Sequence, residues 1–148
     1  MSVIAWDGRI LAADRRLCIV GLPRQTSKLF WTKPEYLLAY AGSAEIGVAL
    51  VDWYESGAEV CEFPVTLADT DNDENRAELL IVHQNGTIET YSRSPYPVRI
   101  KDSQYATGSG RDFAMAAMHL GKNAIEAVEI ACLFDIYCGD GVDSVQFV

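Results

Sequence analysis

The sequence predicts an α+β domain in which sheets and helices pack in layers. Two tight turn dipeptides, Asp7-Gly8 and Asn85-Gly86, are each flanked by apolar segments, which is the pattern of a β-hairpin. Segments with apolar residues at helical spacing follow these hairpins, and a short apolar segment ends the sequence. Hairpins followed by helices are typical of the α+β class. With 148 residues, of which 49% are hydrophobic, residues 1–148 are expected to form one domain with its own core.

The N-terminal half is predicted to contain four strands and one helix. The strands cover residues 2–6, 9–13, 27–31 and 36–41. One apolar stripe at helical spacing then follows, made of Ile46, Leu50, Trp53 and Tyr54. Ser43 is placed to cap the start of this helix, and Gly57 is placed to end it.

The C-terminal half is predicted to contain a hairpin, a further strand, two helices and a final strand. The strands cover residues 79–83, 87–91 and 145–148, with another that starts at residue 105 and runs into a glycine turn at 108–110. The apolar face of the first helix is predicted as Phe113, Ala117 and Leu120, and that of the second as Ile125, Val128 and Cys132. Asn123, followed three residues later by Glu126, has the spacing of a capping box.

Residues 68–78 are strongly acidic, with Asp69, Asp71, Asp73, Glu74 and Glu78 opposed only by Arg76. The alternating aspartates suggest a calcium-binding loop. However, the sixth position is Glu74 rather than glycine, and the twelfth is Leu80 rather than glutamate. A solvated acidic loop is therefore favoured, and no metal or other cofactor is predicted.

Composition and charge exclude several classes of function. The net charge of −9 disfavours nucleic acid and anionic membrane surfaces as partners, since both attract basic faces. No apolar segment reaches the roughly 20 residues of a membrane span, and the N-terminus lacks the pattern of a secretion signal. The four cysteines have no Cys-x-x-Cys spacing, which predicts small core residues in a reducing, cytoplasmic setting.

Ser2 directly follows Met1 and leads into the first predicted strand. If Met1 is removed, Ser2 carries both a hydroxyl and a free α-amine, so one residue can act as nucleophile and general base. The ordinary pKa of an α-amine is about 7.7–8.0, close to working pH. Taken alone, a serine after methionine is more simply a residue that permits methionine removal.

Six short segments in order give the sequence a family resemblance. They are Ser2, Ala12-Ala13-Asp14-Arg15, Lys28, Ala41-Gly42-Ser43-Ala44, Gly108-Ser109-Gly110 and Asp135-Ile136-Tyr137-Cys138-Gly139. Over essentially its whole length the chain resembles the N-terminal-nucleophile (Ntn) hydrolases of the proteasome β-subunit and HslV type, in their minimal bacterial or phage-like form. The match needs a shortened first hairpin, because an ungapped alignment leaves no nucleophile. The resemblance implies a four-layer αββα sandwich.

The resemblance also implies roles for seven residues, which are Ser2, Asp14, Lys28, Gly42, Ser109, Asp135 and Cys138. Ser2 matches the nucleophile, and Lys28 matches the lysine that lowers the pKa of its hydroxyl and amine. Asp14 matches the carboxylate that holds this lysine, and Gly42 the glycine whose N–H stabilises the oxyanion. Ser109, Asp135 and Cys138 match the outer group that hydrogen-bonds the α-amine.

The implied function is that of an endopeptidase subunit in a homo-oligomeric ring that acts on peptides or unfolded proteins, and an ATPase unfoldase is a further implied partner. Two departures from the family pattern keep an alternative open, namely a catalytically inactive structural or binding subunit. Ser2 stands in place of threonine and lacks its methyl group. Cys138 stands in place of a hydroxyl residue, and its thiol is a weaker hydrogen-bond donor. A hydrolase of small amides is a third reading. Singly, Asp14, Lys28 and the glycine turn are also compatible with ordinary turn and surface roles.

Overall fold

The computed structural model describes residues 2–19, 21–64 and 76–148. In these residues the strands are β1 (Val3–Trp6), β2 (Ile10–Asp14), β3 (Arg16–Ile19), β4 (Leu22–Gln25), β5 (Leu29–Lys33), β6 (Tyr36–Gly42), β7 (Ala77–His83), β8 (Ile88–Tyr91), β9 (Val98–Ile100), β10 (Tyr105–Gly108) and β11 (Val142–Gln146). The helices are α1 (Ala44–Glu55), α2 (Arg111–His119) and α3 (Ala124–Phe134), with a short 3-10 turn at Val60–Glu62.

Two antiparallel sheets form the centre of the molecule. The first has the strand order β10-β1-β2-β11, and the second has the order β5-β6-β7-β8-β9. Strands β3 and β4 form a separate exposed hairpin. Both predicted tight-turn hairpins are present, because β1 pairs with β2 and β7 pairs with β8.

Three apolar clusters stack the elements in four layers. In β1, Val3 and Ala5 face α2 and α3, whereas the alternate residue Ile4 faces the second sheet. In β6, Leu37 faces the first sheet and Leu38 faces α1. The order of layers is therefore α1, second sheet, first sheet, and the pair α2–α3. This arrangement confirms the predicted α+β class and its αββα sandwich.

The capping box predicted at Asn123 is confirmed. The Glu126 amide donates to the Asn123 side chain at 2.9 Å, and the Asn123 amide donates to Glu126 at 3.0 Å. The prediction that the Ser43 side chain caps α1 is wrong, since among the described residues it makes no capping hydrogen bond. Ser43 occupies the N-cap position, but it is its main-chain amide that is engaged, donating to the Arg76 carbonyl at 2.7 Å.

The predicted apolar face of α2 is wrong at two of its three positions. Phe113 and Leu120 are exposed, and the buried residues are Ala114, Ala117 and Met118. A face of small alanines lets α2 approach α3 and the first sheet closely, which leaves the bulky aromatic residue on the outside. In α3 the central position, Val128, is buried as predicted.

The final strand lies at 142–146 rather than 145–148. It pairs with β2, so that Ser144 lies opposite Ala12 and Gln146 opposite Ile10. This pairing, rather than local hydrophobicity, sets the register. Strands β3, β4 and β9 were not predicted, because they are largely exposed and lack strict alternation.

The structure also bears on the predictions for the cysteines and for the acidic segment 68–78. Cys18 and Cys61 are exposed rather than in the core, whereas Cys138 is buried. Asp69, Asp71, Asp73 and Glu74 lie outside the described residues, but Glu78 belongs to β7 and its carboxylate is hydrogen-bonded. Among the residues that the structure describes, no helix is long and apolar enough to cross a bilayer.

Candidate active site

Ser2 lies immediately before β1 and is completely buried. Its carbonyl oxygen accepts hydrogen bonds from the Gly110 amide at 3.2 Å and the Ser109 hydroxyl at 3.3 Å. Gly108 has a φ of +96°, and a Cβ at this position would collide with the Ser2 carbonyl. The turn at 108–110 therefore encloses the main chain of Ser2, and this explains its need for glycine.

Asp14 ends β2 and is fully buried. One carboxylate oxygen, Oδ1, accepts from Lys28 Nζ at 2.6 Å and from the Val3 amide at 3.1 Å. The other, Oδ2, accepts from the Gly139 amide at 3.1 Å. Because Val3 directly follows Ser2, this carboxylate joins the lysine, the start of β1 and the segment after α3.

Lys28 immediately precedes β5 and is only 2% exposed. Its main-chain carbonyl accepts from the Tyr40 amide at 3.2 Å, which fixes its backbone beside β6. A buried ammonium is tolerated only when it is paired, and Asp14 is its partner here. The pairing of Asp14 with Lys28, expected from the family resemblance, is therefore present in the structure.

Asp135 follows the last residue of α3, and Cys138 lies three residues further on. The Asp135 carboxylate accepts from the Tyr137 amide at 2.9 Å and from the Cys138 thiol at 3.3 Å. Cys138 Sγ in turn lies 3.8 Å from Ser109 Oγ. The structure thus connects Asp135, Cys138 and Ser109, and Ser109 connects them to Ser2.

The ionisation of this group follows from its surroundings. Burial works to raise the pKa of Asp135, but hydrogen bonds from Ser109, the Tyr137 amide and Cys138 outweigh it and hold the pKa below its usual value. Burial, reinforced by the charge of Asp14, raises the pKa of the Cys138 thiol. At neutral pH the pair is therefore a carboxylate that accepts a hydrogen bond from a neutral thiol.

Gly42 ends β6 with a φ of +99°, and a Cβ there would collide with the Arg76 carbonyl. The strand that carries it packs against β1, since Ala41 and Ile4 belong to the same cluster between the sheets. Gly42 thus lies at the end of a strand that faces β1. Its role as an oxyanion donor stays a prediction.

The sequence did not predict the contacts that two arginines and one glutamate make near this group. Arg16 binds Asp140 and the Ile136 carbonyl, and Arg15 binds Asp143. The only local signal was an Arg-Arg pair directly after Asp14, while its partners lie more than a hundred residues away in sequence. Glu78 also links the two sheets, because its carboxylate accepts from the hydroxyls of Tyr105 at 2.8 Å and Thr107 at 3.0 Å.

The fold and the site together describe a four-layer αββα protein with a polar cluster at the head of its first strand. This is the fold of the HslV/proteasome-like Ntn hydrolases, so the resemblance seen in the sequence is confirmed at the level of fold. No family model and no curated protein matches the sequence.

Three solved structures illustrate the likeness. Eukaryotic HslV from Trypanosoma brucei matches with a TM-score of 0.68 and 20% identity, over 97% of each chain. Thiobacillus denitrificans BPH matches with a TM-score of 0.70 and 19% identity, over 99% of this chain and 98% of that one. The same protein in complex with epoxomicin matches with a TM-score of 0.70 and 21% identity, over the full length of both chains.

Proposed function

We propose that this chain is a peptidase subunit of the Ntn type, in which Ser2 becomes the N-terminal nucleophile once Met1 is removed. The observation that carries the proposal is the fixation of Ser2. Its carbonyl is bound by Ser109 and Gly110, and the next amide along the chain is bound by Asp14, which also binds Lys28. Such fixed main-chain bonds hold the reacting residue in one orientation.

In the proposed reaction, the α-amine of Ser2 takes the proton of its own hydroxyl while the hydroxyl oxygen attacks a peptide carbonyl carbon. The Lys28 ammonium stabilises the oxygen as it loses its proton, and the Gly42 amide donates to the oxyanion. The protonated α-amine of Ser2 then gives its proton to the leaving amine as the peptide bond breaks. Water then hydrolyses the ester on Ser2 by the same route and restores the free hydroxyl.

The quaternary structure and setting belong to the same proposal. A four-layer fold with full-length likeness to an HslV supports a homo-oligomeric ring that encloses its sites. Peptides or unfolded proteins are the proposed substrates, an ATPase unfoldase is a proposed partner, and the cytoplasm is the proposed location. Epoxomicin, bound in a structure of the same fold, is the natural probe for this chain.

One observation favours a second candidate, an inactive structural or binding subunit. Ser2 has no exposed surface in the structure, whereas a nucleophile must be open to its substrate. If Met1 is retained, the amine of Ser2 stays in a peptide bond and cannot serve as a base.

Intact-mass measurement of the purified protein, before and after incubation with epoxomicin, separates the two candidates. The peptidase requires a species that lacks Met1 and gains one inhibitor adduct per chain. Ser2→Ala should abolish the adduct, whereas the matched control Ser56→Ala, at an exposed position, should retain it. An adduct that persists in Ser2→Ala, or a protein that keeps Met1 and cleaves no peptide, would overturn the proposal.

A further inference from the structure

The segment 135–141, here called the site loop, connects α3 to β11 and carries Asp135 and Cys138. Main-chain groups and one carboxylate from the end of β2 attach it to the first sheet. The Gly139 amide donates to Asp14 at 3.1 Å. The Arg15 amide is shared between the carbonyls of Gly139 and Gly141, at 3.1 and 3.2 Å.

The Arg16 side chain forms a further attachment that spans the loop. Its Nη1 donates to the Ile136 carbonyl at 2.8 Å, and its Nε donates to Asp140 Oδ2 at 3.0 Å. Gly139 packs directly on the guanidinium, because a Cβ there would lie 2.7 Å from Arg16 Nη2. One planar cation therefore joins the two arms of the loop and fills the space between them.

Asp140 shows why this attachment matters. Its φ is +64°, which is uncommon for a residue with a side chain and persists where the surroundings hold it. The Arg16 bond restrains the Asp140 side chain, with both side chains only about a quarter exposed, while the Arg15 amide binds the carbonyls on either side of Asp140. Hydrogen bonding to Asp140 also raises the pKa of Arg16, so the guanidinium stays charged.

We infer that Arg16 is a positioning residue, which bridges Ile136 and Asp140 so that the site loop holds Asp135 and Cys138 beside Ser109. The inference rests on the proposed function, since these two residues matter to a reaction only if Ser2 is the nucleophile. Among the described residues, the hydrogen-bond partners of the Arg16 side chain are Ile136 and Asp140, which are not reacting groups. Arg16 acts through the shape of the loop.

Arg15 provides a matched control. Its guanidinium is also ion-paired, with Nε 2.7 Å from Asp143 Oδ1 and Nη2 3.3 Å from the Val142 carbonyl. Both hydrogen bonds lie in β11, beyond the site loop, and towards the loop the Arg15 side chain only packs against Gly141. Arg15→Gln therefore removes a similar charge pair one residue away and leaves the loop bridge intact.

Peptidase kinetics is the first test. Arg16→Gln should lower kcat by about tenfold or more with little change in KM, because misplaced groups impair the transition state rather than binding. Arg16→Lys keeps the charge but cannot bridge both partners, and should fall between wild type and Arg16→Gln. Arg15→Gln should stay within about threefold of wild type. Equal losses in Arg16→Gln and Arg15→Gln would overturn the inference.

The second test needs no activity. The rate at which iodoacetamide alkylates the buried Cys138, followed by peptide-mapped mass spectrometry, reports opening of the site loop. Alkylation should be severalfold faster in Arg16→Gln than in wild type and unchanged in Arg15→Gln, with equal urea midpoints verifying that both variants are folded. Unchanged alkylation in Arg16→Gln would overturn the inference even if the enzyme is active. A wild type without peptidase activity would instead overturn the proposed function, while this measurement still decides whether Arg16 holds the loop.

Discussion

Lys28 Nζ lies 2.6 Å from Asp14 Oδ1, and the exposed fractions of the two side chains are only 2% and 0%. Removing one partner of such a pair leaves an uncompensated buried charge, whereas removing both leaves none. The Asp14 carboxylate also accepts hydrogen bonds from the amides of Val3 and Gly139, so it holds two main-chain segments in addition to pairing with the lysine. The pair is thus both a catalytic candidate and a structural junction.

Lys28→Met should destabilise the fold by about 3–5 kcal/mol, because it strands the Asp14 carboxylate in the interior. In the double variant Lys28→Met/Asp14→Asn, part of this loss should be recovered, since the amide needs no counter-charge and its oxygen still accepts one of the two main-chain bonds. Urea unfolding of the single and double variants measures the coupling. Additive losses would contradict the pairing, and both Lys28→Met forms should lack peptidase activity.

Gly108→Ala should prevent the 108–110 turn from enclosing Ser2. At Gly108 an added Cβ would collide with the Ser2 carbonyl, and alanine would also incur the energetic cost of a positive φ. Gly121→Ala is the matched control, because Gly121 has a φ of +93° and open space around its missing Cβ. We expect the control to lose about 1–2 kcal/mol of unfolding free energy and Gly108→Ala to lose more, together with its epoxomicin adduct. Equal losses in urea unfolding would indicate that the turn relaxes without cost.

Local signals in the sequence predicted the hairpins and the α+β class well, whereas the αββα layering followed from the family resemblance. Asp7-Gly8 and Asn85-Gly86 determine tight turns by their own backbone preferences, and the capping box at Asn123 lies within four residues. Such features depend on neighbours along the chain. Local chemistry therefore specifies them almost completely.

Features that depend on distant partners were not predictable in this way. Nothing around Arg16 indicates that it binds residues more than a hundred positions later, and nothing around Glu78 indicates that Tyr105 and Thr107 hydrogen-bond it. Phe113 lies on the outside of α2 because an alanine face packs more closely against the neighbouring layers, and the sequence of α2 alone does not show which face those layers cover. For the candidate site, the family resemblance supplied the residues, and the fold brings Asp14 into contact with Lys28 and Ser109 into contact with Ser2 and Cys138.

Asp135 should contribute an acid-sensitive part of the stability. Its pKa is lowered in the folded protein, so its contribution is fully present above the unfolded pKa of about 3.9 and is lost as the pH falls through the folded value. Asp135→Asn removes this dependence. We expect the stability difference between wild type and Asp135→Asn in urea unfolding to favour wild type near neutral pH and to shrink below about pH 4. A difference that grows on acidification would contradict the lowered pKa.

The four cysteines should react with alkylating reagents in two classes. Cys18 and Cys61 are exposed, whereas Cys138 is buried and its thiol has a raised pKa. Burial also raises the pKa of Cys132 to about 11, so little thiolate exists there at neutral pH. Iodoacetamide should therefore label Cys18 and Cys61 rapidly and the other two slowly in the native protein, as measured by peptide-mapped mass spectrometry.

Unfolding in urea provides the control for this prediction, because all four thiols should then react at similar rates. Fast native labelling of Cys138 would show that its thiol is accessible rather than enclosed with Asp135 and Ser109.

Cys138→Ser tests the hydrogen bond between Cys138 and Asp135 by strengthening it, because a hydroxyl is a stronger donor than a thiol. It should retain the fold and raise the rate of peptide hydrolysis, whereas Cys138→Ala, which removes the donor to Asp135, should lower it.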